Sequence, residues 1–386
     1  MNAVWAILQI LIGYNLILPL VLYFFFNLVK ACRTKTGISK TIISPDYAVI
    51  VTAYQEISHI PATVNSILKS TYPGFICYVV LDNCDDIETL KFNDKRVVLL
   101  KPEKVLGGNV RSHFYAIDHF IRAHSFLTII DSDNIVDENY LAGLNEYFNK
   151  GYKAVQGIRK AKNLNTDYAC LDAARDIYYH FYDGLVLYTL GSSATLAGSG
   201  MAFETMLYKK CLEGKEVSGA GFDKVLQYEI VKKNEQIAFC SEAIVYDQKT
   251  ARPDQLVNQR ARWINTWFKY FKFGFSLLLK GVRNFSSNQL LFGLVLLRPP
   301  LFLFLLLSVI GMACSFFMSI TAGLIWLGAF LCFVVGFIIP LRYYKADRRI
   351  MQALLHIPAF VYYQLVSLVH SRNANRRSVA TKHFDE

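Results

Sequence analysis

The sequence has no closely spaced cysteines. Its eight cysteines are scattered over 386 residues, and no two of them are separated by two or by four residues. Structural zinc sites and spaced disulfide frameworks depend on such short separations. We therefore expect neither, and we interpret the cysteines as reduced thiols that fill the core of a cytosolic domain.

Two further absences exclude other classes of protein. No nucleic-acid-binding motif accompanies the basic residues, which are scattered or lie beside apolar runs, although the formal net charge is +11. An anionic membrane surface is therefore the predicted partner, and nucleic acid is not. The sequence also has no internal repeat and no low-complexity segment, so residues 46–250 are interpreted as one compact domain.

The first apolar run has no basic residue before it, which argues against a cleavable signal peptide. This run, Val4–Val29, contains no charged residue and is long enough to cross a bilayer. Basic residues just after a span indicate its cytosolic side. Those that follow here are Lys30, Arg33, Lys35 and Lys40. We predict a transmembrane anchor in residues 1–29, with the chain continuing in the cytosol.

Hydrophobic residues make up 53% of the chain, and two long apolar runs predict two more spans within residues 286–341. The runs are Gln289–Ile320 and Ala322–Leu341. Two crossings would return the chain to the cytosol, in agreement with the basic residues that follow, Arg342, Lys345, Arg348 and Arg349. Arg298 lies inside the first run, just before Pro299-Pro300, where it predicts a kink, a snorkelling site or a polar cavity.

Two other segments have the composition of interfacial structure. Trp263–Leu279 mixes aromatic residues with Lys269 and Lys272, which is typical of a helix in the membrane interface or of an amphipathic core helix. Met351–His370 is long enough to span but would then place a basic tail on the wrong side. We interpret residues 342–386 as an interfacial or re-entrant segment with a cytosolic tail.

Predicted strands alternate with helices between residues 46 and 250, which indicates an α/β domain with a mostly parallel sheet. The predicted strands are Tyr47–Thr52, Phe75–Leu81, Arg96–Leu100 and Phe126–Ile130, and the predicted helices are Pro61–Ser70 and Arg111–Arg122. Acidic or polar loops follow several of these strands. Because the carboxyl ends of parallel strands meet at one edge of a sheet, the loops should converge there.

The most informative of these loops is Asp131-Ser132-Asp133, at the end of a strand that should be buried on both faces. Two carboxylates suit Mg²⁺ or Mn²⁺, which proteins hold with one or two such groups and the phosphates of a substrate. An isolated match of this kind is more often a turn and a helix cap. The functional interpretation depends on the other motifs.

Six short motifs together resemble, in their order, the membrane-embedded family 2 glycosyltransferases, which include cellulose, chitin and hyaluronan synthases. The motifs are Tyr54-Gln55-Glu56, the Asp82 loop, Asp131-Ser132-Asp133, Gly198-Ser199-Gly200, Asp223 and Gln259-x-x-Arg262-Trp263. The resemblance implies a GT-A fold, a nucleotide-sugar donor for which a UDP-sugar is expected, Mg²⁺ or Mn²⁺, and inversion at the anomeric carbon. It also implies a multi-pass protein of the cell membrane with a cytosolic catalytic domain.

The resemblance assigns roles to individual residues. It places Tyr54, Glu56 and Asp82 on the nucleoside of the donor, and Asp131 on its sugar. Asp133 would bind the metal, and Gly198-Ser199-Gly200 would contact the substrate. Gln259, Arg262 and Trp263 would bind the diphosphate and the acceptor. The resemblance places the general base at Asp223, although Gly221-Phe222 precedes it where the family most often has Thr-Glu. Residues 251–285 would then carry the Q-x-x-R-W motif and the interfacial helix. A membrane-interface anchor is the alternative for Trp263.

Three functions remain open from the sequence. The leading one, which the Q-x-x-R-W motif favours, is extension of an exported β-linked polysaccharide, with an oligomer or a partner export protein supplying more helices. The second is transfer of a single sugar to a lipid-linked acceptor on the cytosolic face, which the small number of spans favours. The third is an inactive membrane scaffold, against which the intact Asp131, Asp133, Asp223 and Arg262 argue.

Overall fold

The computed structural model describes residues 3–32, 45–217 and 219–376. The basic residues predicted to flank the first span at Arg33, Lys35 and Lys40, and the tail after Arg376, lie outside the described residues. The strands are β1 Tyr47–Tyr54, β2 Phe75–Asp82, β3 Val97–Leu100, β4 Phe126–Asp131, β5 Ile135–Val136, β6 Ala154–Ala161, β7 Met201–Glu204 and β8 Ile237–Asp247.

Helices surround the sheet and form the chain ends. They are α1 Ala3–Cys32, α2 Ile60–Leu68, α3 Asn109–Asp118, α4 Tyr140–Asn149, α5 Asp167–Tyr179, α6 Leu187–Thr189, α7 Thr205–Leu212, α8 Phe222–Lys232, α9 Pro253–Tyr270, α10 Phe273–Arg283, α11 Ser287–Leu297, α12 Leu301–Met318, α13 Ile320–Tyr343, α14 Arg348–Ala353 and α15 Ile357–His370. A π-helical segment, His180–Val186, joins α5 to α6 without a break. Single 3₁₀ turns occur at Ile87–Thr89, Leu354–His356 and Ser371–Arg376.

The sheet has eight strands in the order β3-β2-β1-β4-β7-β6-β8-β5. The first four of these are mutually parallel, whereas β7 is antiparallel to both of its neighbours. Beyond it, β6 and β8 pair in parallel and β5 closes the edge antiparallel to β8. Thr52 pairs with Asp131, and Tyr54 pairs with Asp82. The predicted convergence of the strand ends is therefore confirmed. Strand β1 extends to Tyr54, two residues beyond its predicted end at Thr52.

The sheet is buried on both faces. Side chains alternate between two hydrophobic clusters, so that Ile50 and Ile129 lie on one face and Val51 and Ile130 lie on the other. This pattern explains why the run before Asp131 is continuously apolar. The mostly parallel α/β fold predicted from the sequence is confirmed.

His113 on α3 is a buried titratable group of this core. Its Nδ1 lies 2.7 Å from the hydroxyl of Tyr208, and burial lowers its pKa from 6.5 to about 3. The folded state thus favours the neutral ring, whereas the unfolded chain takes up a proton below pH 6.5. The stability contributed by the neutral ring is present above pH 6.5 and is lost as the pH falls towards 3.

We expect the free energy of unfolding to decrease by up to about 1.4 kcal/mol per pH unit below this point because of His113 alone. His113→Gln, which does not titrate, should flatten the acid side of the stability profile. Thermal unfolding of the purified full chain at about pH 7 and about pH 5.5 measures the difference. Equal slopes for the two proteins would contradict the assignment.

Four helical segments are long and apolar enough to cross a membrane, among the residues that the structure describes. They are Gln9–Cys32, Leu301–Met318, Ile320–Tyr343 and Arg348–His370. The first three pack together and against the helix formed by α5, the π segment and α6, which we call the central helix (residues 167–189). The hydroxyl of Tyr182 on that helix donates to the carbonyl of Gly336 on α13 (2.8 Å).

The structure corrects the predicted boundaries of two apolar segments. The single span predicted at Gln289–Ile320 is two helices, because Pro299-Pro300 cannot continue α11. Arg298 lies at this break, buried, and forms an ion pair with Asp183 of the central helix. The single helix predicted at Trp263–Leu279 is also divided, since α9 ends at Tyr270 and α10 begins at Phe273.

The fourth apolar segment is interrupted by the 3₁₀ turn between α14 and α15. Its α15 part packs along α9, where the side chain of Asn265 donates to the carbonyl of Ser371 (2.9 Å). Its length and composition make it a fourth candidate span. The interfacial placement predicted from the sequence stays a prediction.

Candidate functional site

The turn that begins at Asp131 is held from two sides. The backbone N–H of Asp131 donates to the hydroxyl of Ser199 (3.1 Å), and that hydroxyl donates to the side-chain oxygen of Asn134 (2.6 Å). From α2, the hydroxyl of Thr63 donates to the carbonyl of Ser132 (2.7 Å). The two carboxylates of the Asp-Ser-Asp motif therefore project from a fixed backbone.

The Gly198-Ser199-Gly200 loop is fixed in turn by Gln156 of β6. The amide nitrogen of Gln156 donates to the carbonyls of Ser199 and Gly200 (both 3.2 Å), and its oxygen accepts from the N–H of Ala197 (2.9 Å). Gly198 and Gly200 have φ angles of +89° and +67°, which only glycine adopts without strain. In the structure the loop supports the carboxylate motif, and its predicted contact with substrate stays a prediction.

The charges of acidic side chains from two other elements act on Asp131 at the end of β4. Burial and repulsion by Asp133 raise the pKa of Asp131 to about 7, while Arg159 of β6 opposes the shift. Asp247 at the end of β8 and Asp223 at the start of α8 raise the same pKa further. Two of these charged residues, Arg159 and Asp247, were not indicated by the sequence. The roles predicted for Asp133 and Asp223 stay predictions.

These carboxylates fit a divalent cation that a substrate helps to bind. In the described part of the chain, no three His, Cys, Asp or Glu side chains converge as a complete metal site. Asp131 and Asp133 instead repel each other, and a cation between them would allow both to be ionised. Carboxylate oxygens are the ligands that Mg²⁺ and Mn²⁺ prefer, with substrate phosphates completing the coordination.

Asp223 occupies the first turn of α8, where the helix dipole favours a negative charge. Its carboxylate pairs with the ammonium group of Lys224 (2.9 Å), which also donates to the carbonyl of Leu196 (3.0 Å). Gly221 begins the helix with a φ of +103°, and a Cβ there would lie 2.6 Å from Thr266 of α9. The close contact with α9 therefore requires glycine at position 221.

Asp82 has a structural role that the sequence did not predict. Its two carboxylate oxygens accept from the backbone N–H groups of Leu106 and Gly107, each at 2.8 Å. The side chain is almost fully buried. Asp82 thereby fixes the loop that precedes α3, and its predicted contact with the nucleobase stays a prediction.

Tyr54 and Glu56 lie at the same edge of the sheet. Tyr54 is the last residue of β1 and stands opposite Asp82 on β2. Glu56 is exposed, and it accepts from the backbone N–H of Ser58 (2.9 Å), an interaction that lowers its pKa. The assignment of both side chains to the nucleoside stays a prediction.

The Q-x-x-R-W motif lies within α9. The amide oxygen of Gln259 accepts from the hydroxyl of Thr250 (3.2 Å), which ties the helix to the loop after β8. Arg262 is half-buried, and burial lowers its pKa. Trp263 is 36% exposed, and the guanidinium groups of Arg260 and Arg175 lie 4.1 and 4.5 Å from its ring centre. Two cations therefore hold the indole in place beside the site.

A match to a family profile identifies the family of the chain. The profile described as "Glycosyltransferase like family 2" matches residues 45–266, which is more than half of the chain. The chain belongs to this family. It is accordingly a glycosyltransferase, as predicted. No curated relative matches the sequence.

Two solved structures are similar to this family 2 glycosyltransferase. The mannosyltransferase PcManGT from Pyrobaculum calidifontis, in complex with GDP-Man and Mn²⁺, is 15% identical, with a TM-score of 0.61 over 95% of this chain and 98% of that chain. TarS 1-349 from S. aureus, in complex with UDP-GlcNAc, is 15% identical, with a TM-score of 0.44 over 86% of this chain and 90% of that chain. The first likeness confirms the predicted GT-A fold.

The glycosyltransferase has a buried charge network that sequence analysis missed. Lys249 follows β8 and contacts Asp247 (2.8 Å) and Asp176 of the central helix, and Arg159 lies 3.5 Å from both of these carboxylates. One turn earlier on the central helix, a second buried carboxylate pairs with two arginines. It is Asp172, which contacts Arg175 (3.0 Å) and Arg260 of α9. The network connects the edge of the sheet to the Q-x-x-R-W helix.

Only a weak signal in the sequence could have revealed this network. Asp172 and Asp176 lie four residues apart and therefore on one face of a helix whose other residues are mostly small or apolar. Buried carboxylates need partners, so this spacing indicates cations elsewhere in the chain. Which cations they are depends on the tertiary fold.

Proposed function

We propose that the protein is a membrane-bound, metal-dependent, inverting transferase that uses a nucleoside-diphosphate sugar. The observation that supports this most strongly is the pair of carboxylates, Asp131 and Asp133, on the fixed turn at the end of β4. The charge of Asp223 acts on Asp131 from the start of α8. Asp133, with Asp131 beside it, would hold Mg²⁺ or Mn²⁺. When bound, the cation supplies electrophilic stabilisation of the diphosphate leaving group. PcManGT was solved with GDP-Man and Mn²⁺, which is consistent with this chemistry.

The chain's own residues would divide the reaction between them. Arg262 would bind the phosphate oxygens, since a guanidinium can bind them bidentately and its charge stabilises the leaving group. Asp223 would accept the proton of the acceptor hydroxyl as that oxygen attacks the anomeric carbon from the side opposite the diphosphate. Lys224 would orient the carboxylate of Asp223, because its ammonium group is fixed on the carbonyl of Leu196.

Arg262→Lys should reduce sugar transfer about 10- to 100-fold, the worth of one charge-assisted hydrogen bond. The ammonium group keeps the positive charge but cannot reproduce a bidentate contact. Steady-state rates at saturating acceptor, with the nucleotide-sugar concentration varied, measure the effect. Arg252→Lys is the matched control because Arg252 lies just before α9, is exposed and pairs with Asp254. A normal rate for Arg262→Lys would show that Arg262 does not bind the diphosphate.

We infer that the catalytic domain, residues 46–250, lies in the cytosol. Lys30 ends the first candidate span, and Arg342 and Lys345 lie at and just after the end of the third. Because basic residues are retained on the cytosolic side, the C-terminal ends of the first and third candidate spans should both lie in the cytosol. A reporter fused at the C-terminus and active only in the cytosol tests this topology. An extracytoplasmic reporter would make Arg348–His370 a fourth crossing.

The acceptor that the structure favours is a lipid-linked one on the cytosolic face. The space between α1, α12 and α13 is filled by large buried side chains, among them Leu16, Phe304, Trp326 and Phe333. A polysaccharide would therefore not pass between these three helices. Synthesis of an exported β-linked polysaccharide is the second candidate, because the Q-x-x-R-W motif of α9 resembles that of the polymer synthases.

One experiment separates these functions. Membranes that contain the protein are incubated with radiolabelled nucleotide sugars and Mg²⁺ or Mn²⁺, and the products are divided into a solvent-extractable lipid fraction and an insoluble polymer fraction. We expect label in the lipid fraction, with one sugar added per acceptor. Label in long chains would support the polysaccharide function instead. No transfer from any donor, with the fold intact, would favour the scaffold.

A further inference from the structure

We propose that the outer face of α10 lies on the membrane surface and binds anionic phospholipid headgroups. This α10 face consists of Phe275, Leu279, Val282 and Phe285, which are 59%, 73%, 64% and 96% exposed. They are spaced three or four residues apart and so form one stripe along the helix and its following turn. Contiguous exposed apolar side chains of this size mark a surface that something covers.

The orientation of α10 is fixed, so the stripe cannot turn inward. Its opposite face packs closely on α11, where a Cβ on Gly274 would lie 2.8 Å from the carbonyl of Gly293. A Cβ on Gly281 would lie 2.7 Å from the backbone of Leu290. Phe273 also stacks on Tyr228 of α8, with ring centres 4.1 Å apart. The helix therefore presents its apolar stripe outward in the folded protein.

The charges beside the stripe have one sign. Lys272 and Arg283 are exposed at the two ends of α10, and Lys280 lies between them. From Gln255 to Ala346 the sequence contains no aspartate or glutamate. Basic residues beside an apolar helical face are the pattern of interfacial membrane helices, and each one attracts anionic lipids. An anionic membrane surface therefore matches both components of the α10 face.

The α10 face also continues from the candidate membrane spans. Phe271, just before α10, stacks on Trp267 (5.1 Å between ring centres) and contacts Phe275 of the stripe. The indole of Trp267 donates to the carbonyl of Arg298, just before α12 (2.9 Å). The beginning of the stripe thus lies at the level where the chain enters its second candidate span. Among the described residues, no comparable contact or charge pattern favours a second copy of the chain or another protein as the partner that covers the α10 face.

A photocrosslinking experiment tests this surface independently of which acceptor the enzyme uses. Benzoylphenylalanine replaces Leu279 in the full-length protein, which is reconstituted in nanodiscs of phosphatidylcholine with a minor share of phosphatidylglycerol. After irradiation, mass spectrometry identifies the adducts. We expect lipid adducts, with phosphatidylglycerol enriched about 2- to 5-fold over its share of the bilayer.

The same probe at Met206 is the matched control. Met206 is 69% exposed on α7 and has Lys209 and Lys210 nearby, but no apolar stripe surrounds it. Lipid adducts should be absent there. Protein adducts at position 279, or no lipid adduct, would overturn the proposal.

The charge component has a test of its own. The double substitution Lys280→Gln and Arg283→Gln should return phosphatidylglycerol to its share of the bilayer while the lipid adducts persist. An unchanged enrichment would overturn the role of the basic residues. Sugar transfer by the same sample shows separately whether the enzyme is folded and active.

Discussion

Asp133→Ala is expected to lower sugar transfer by about 10³-fold or more while the protein remains folded. The substitution removes the carboxylate that would hold the cation. The turn itself should persist, because its backbone is held through Ser199 and Thr63. Rates measured over a range of Mn²⁺ concentrations, with thermal unfolding in parallel, test both statements.

Ser132→Ala is the control for this experiment. Ser132 lies between the two aspartates, and its carbonyl, which the substitution keeps, accepts the hydrogen bond from Thr63. We expect most of the activity to remain. If Asp133→Ala instead keeps metal-dependent turnover, the cation is bound elsewhere.

Asp223→Asn should lower the transfer rate by roughly 10²- to 10⁴-fold, the usual worth of a positioned general base. The side chains are nearly isosteric, but the amide cannot accept the proton of the acceptor hydroxyl. Donor binding should survive, because Asp133 and Arg262 would hold the diphosphate independently. Nucleotide affinity and transfer rate are therefore measured on the same variant.

Glu229→Gln is the control for the loss of a carboxylate on the same helix. Glu229 lies in α8 but pairs with Lys215 (2.7 Å), so the loss of its charge should leave the transfer rate within a few-fold of normal. Lost affinity for nucleotide in Asp223→Asn, with a normal rate per bound donor, would move Asp223 into the donor pocket. The base would then be another residue.

Local patterns in the sequence were sufficient to predict the four parallel strands β1–β4 and the carboxylates at their edge, but not the four strands β5–β8. The run before Asp131 is apolar because it is buried on both faces, and the end of such a strand faces ligands in this class of fold. The boundary errors at Arg298 and Tyr270 arose because hydropathy predicts whether a segment lies in apolar surroundings, but not where a helix within it ends. Pro299-Pro300 was visible, yet only the structure shows that the helix ends there.

The supporting contacts could not be predicted for a different reason. Gln156 and Lys249 act through partners that are distant in sequence, such as Ala197 and Asp176. The position of a polar residue on a predicted strand or loop does not indicate which distant group it will form a hydrogen bond with. The role of Asp82 was incompletely predicted for the same reason, since the loop that it fixes lies more than twenty residues away.

The central helix limits which parts of the enzyme can be removed or exchanged. One side of it carries Asp172 and Asp176, which pair with basic side chains. The other side carries Tyr178 and Tyr182, which are buried against the first three candidate membrane spans. Deleting those helices would uncover a continuous aromatic strip on the catalytic domain. A truncated, water-soluble version should therefore aggregate, and the catalytic and membrane parts cannot be exchanged separately between relatives.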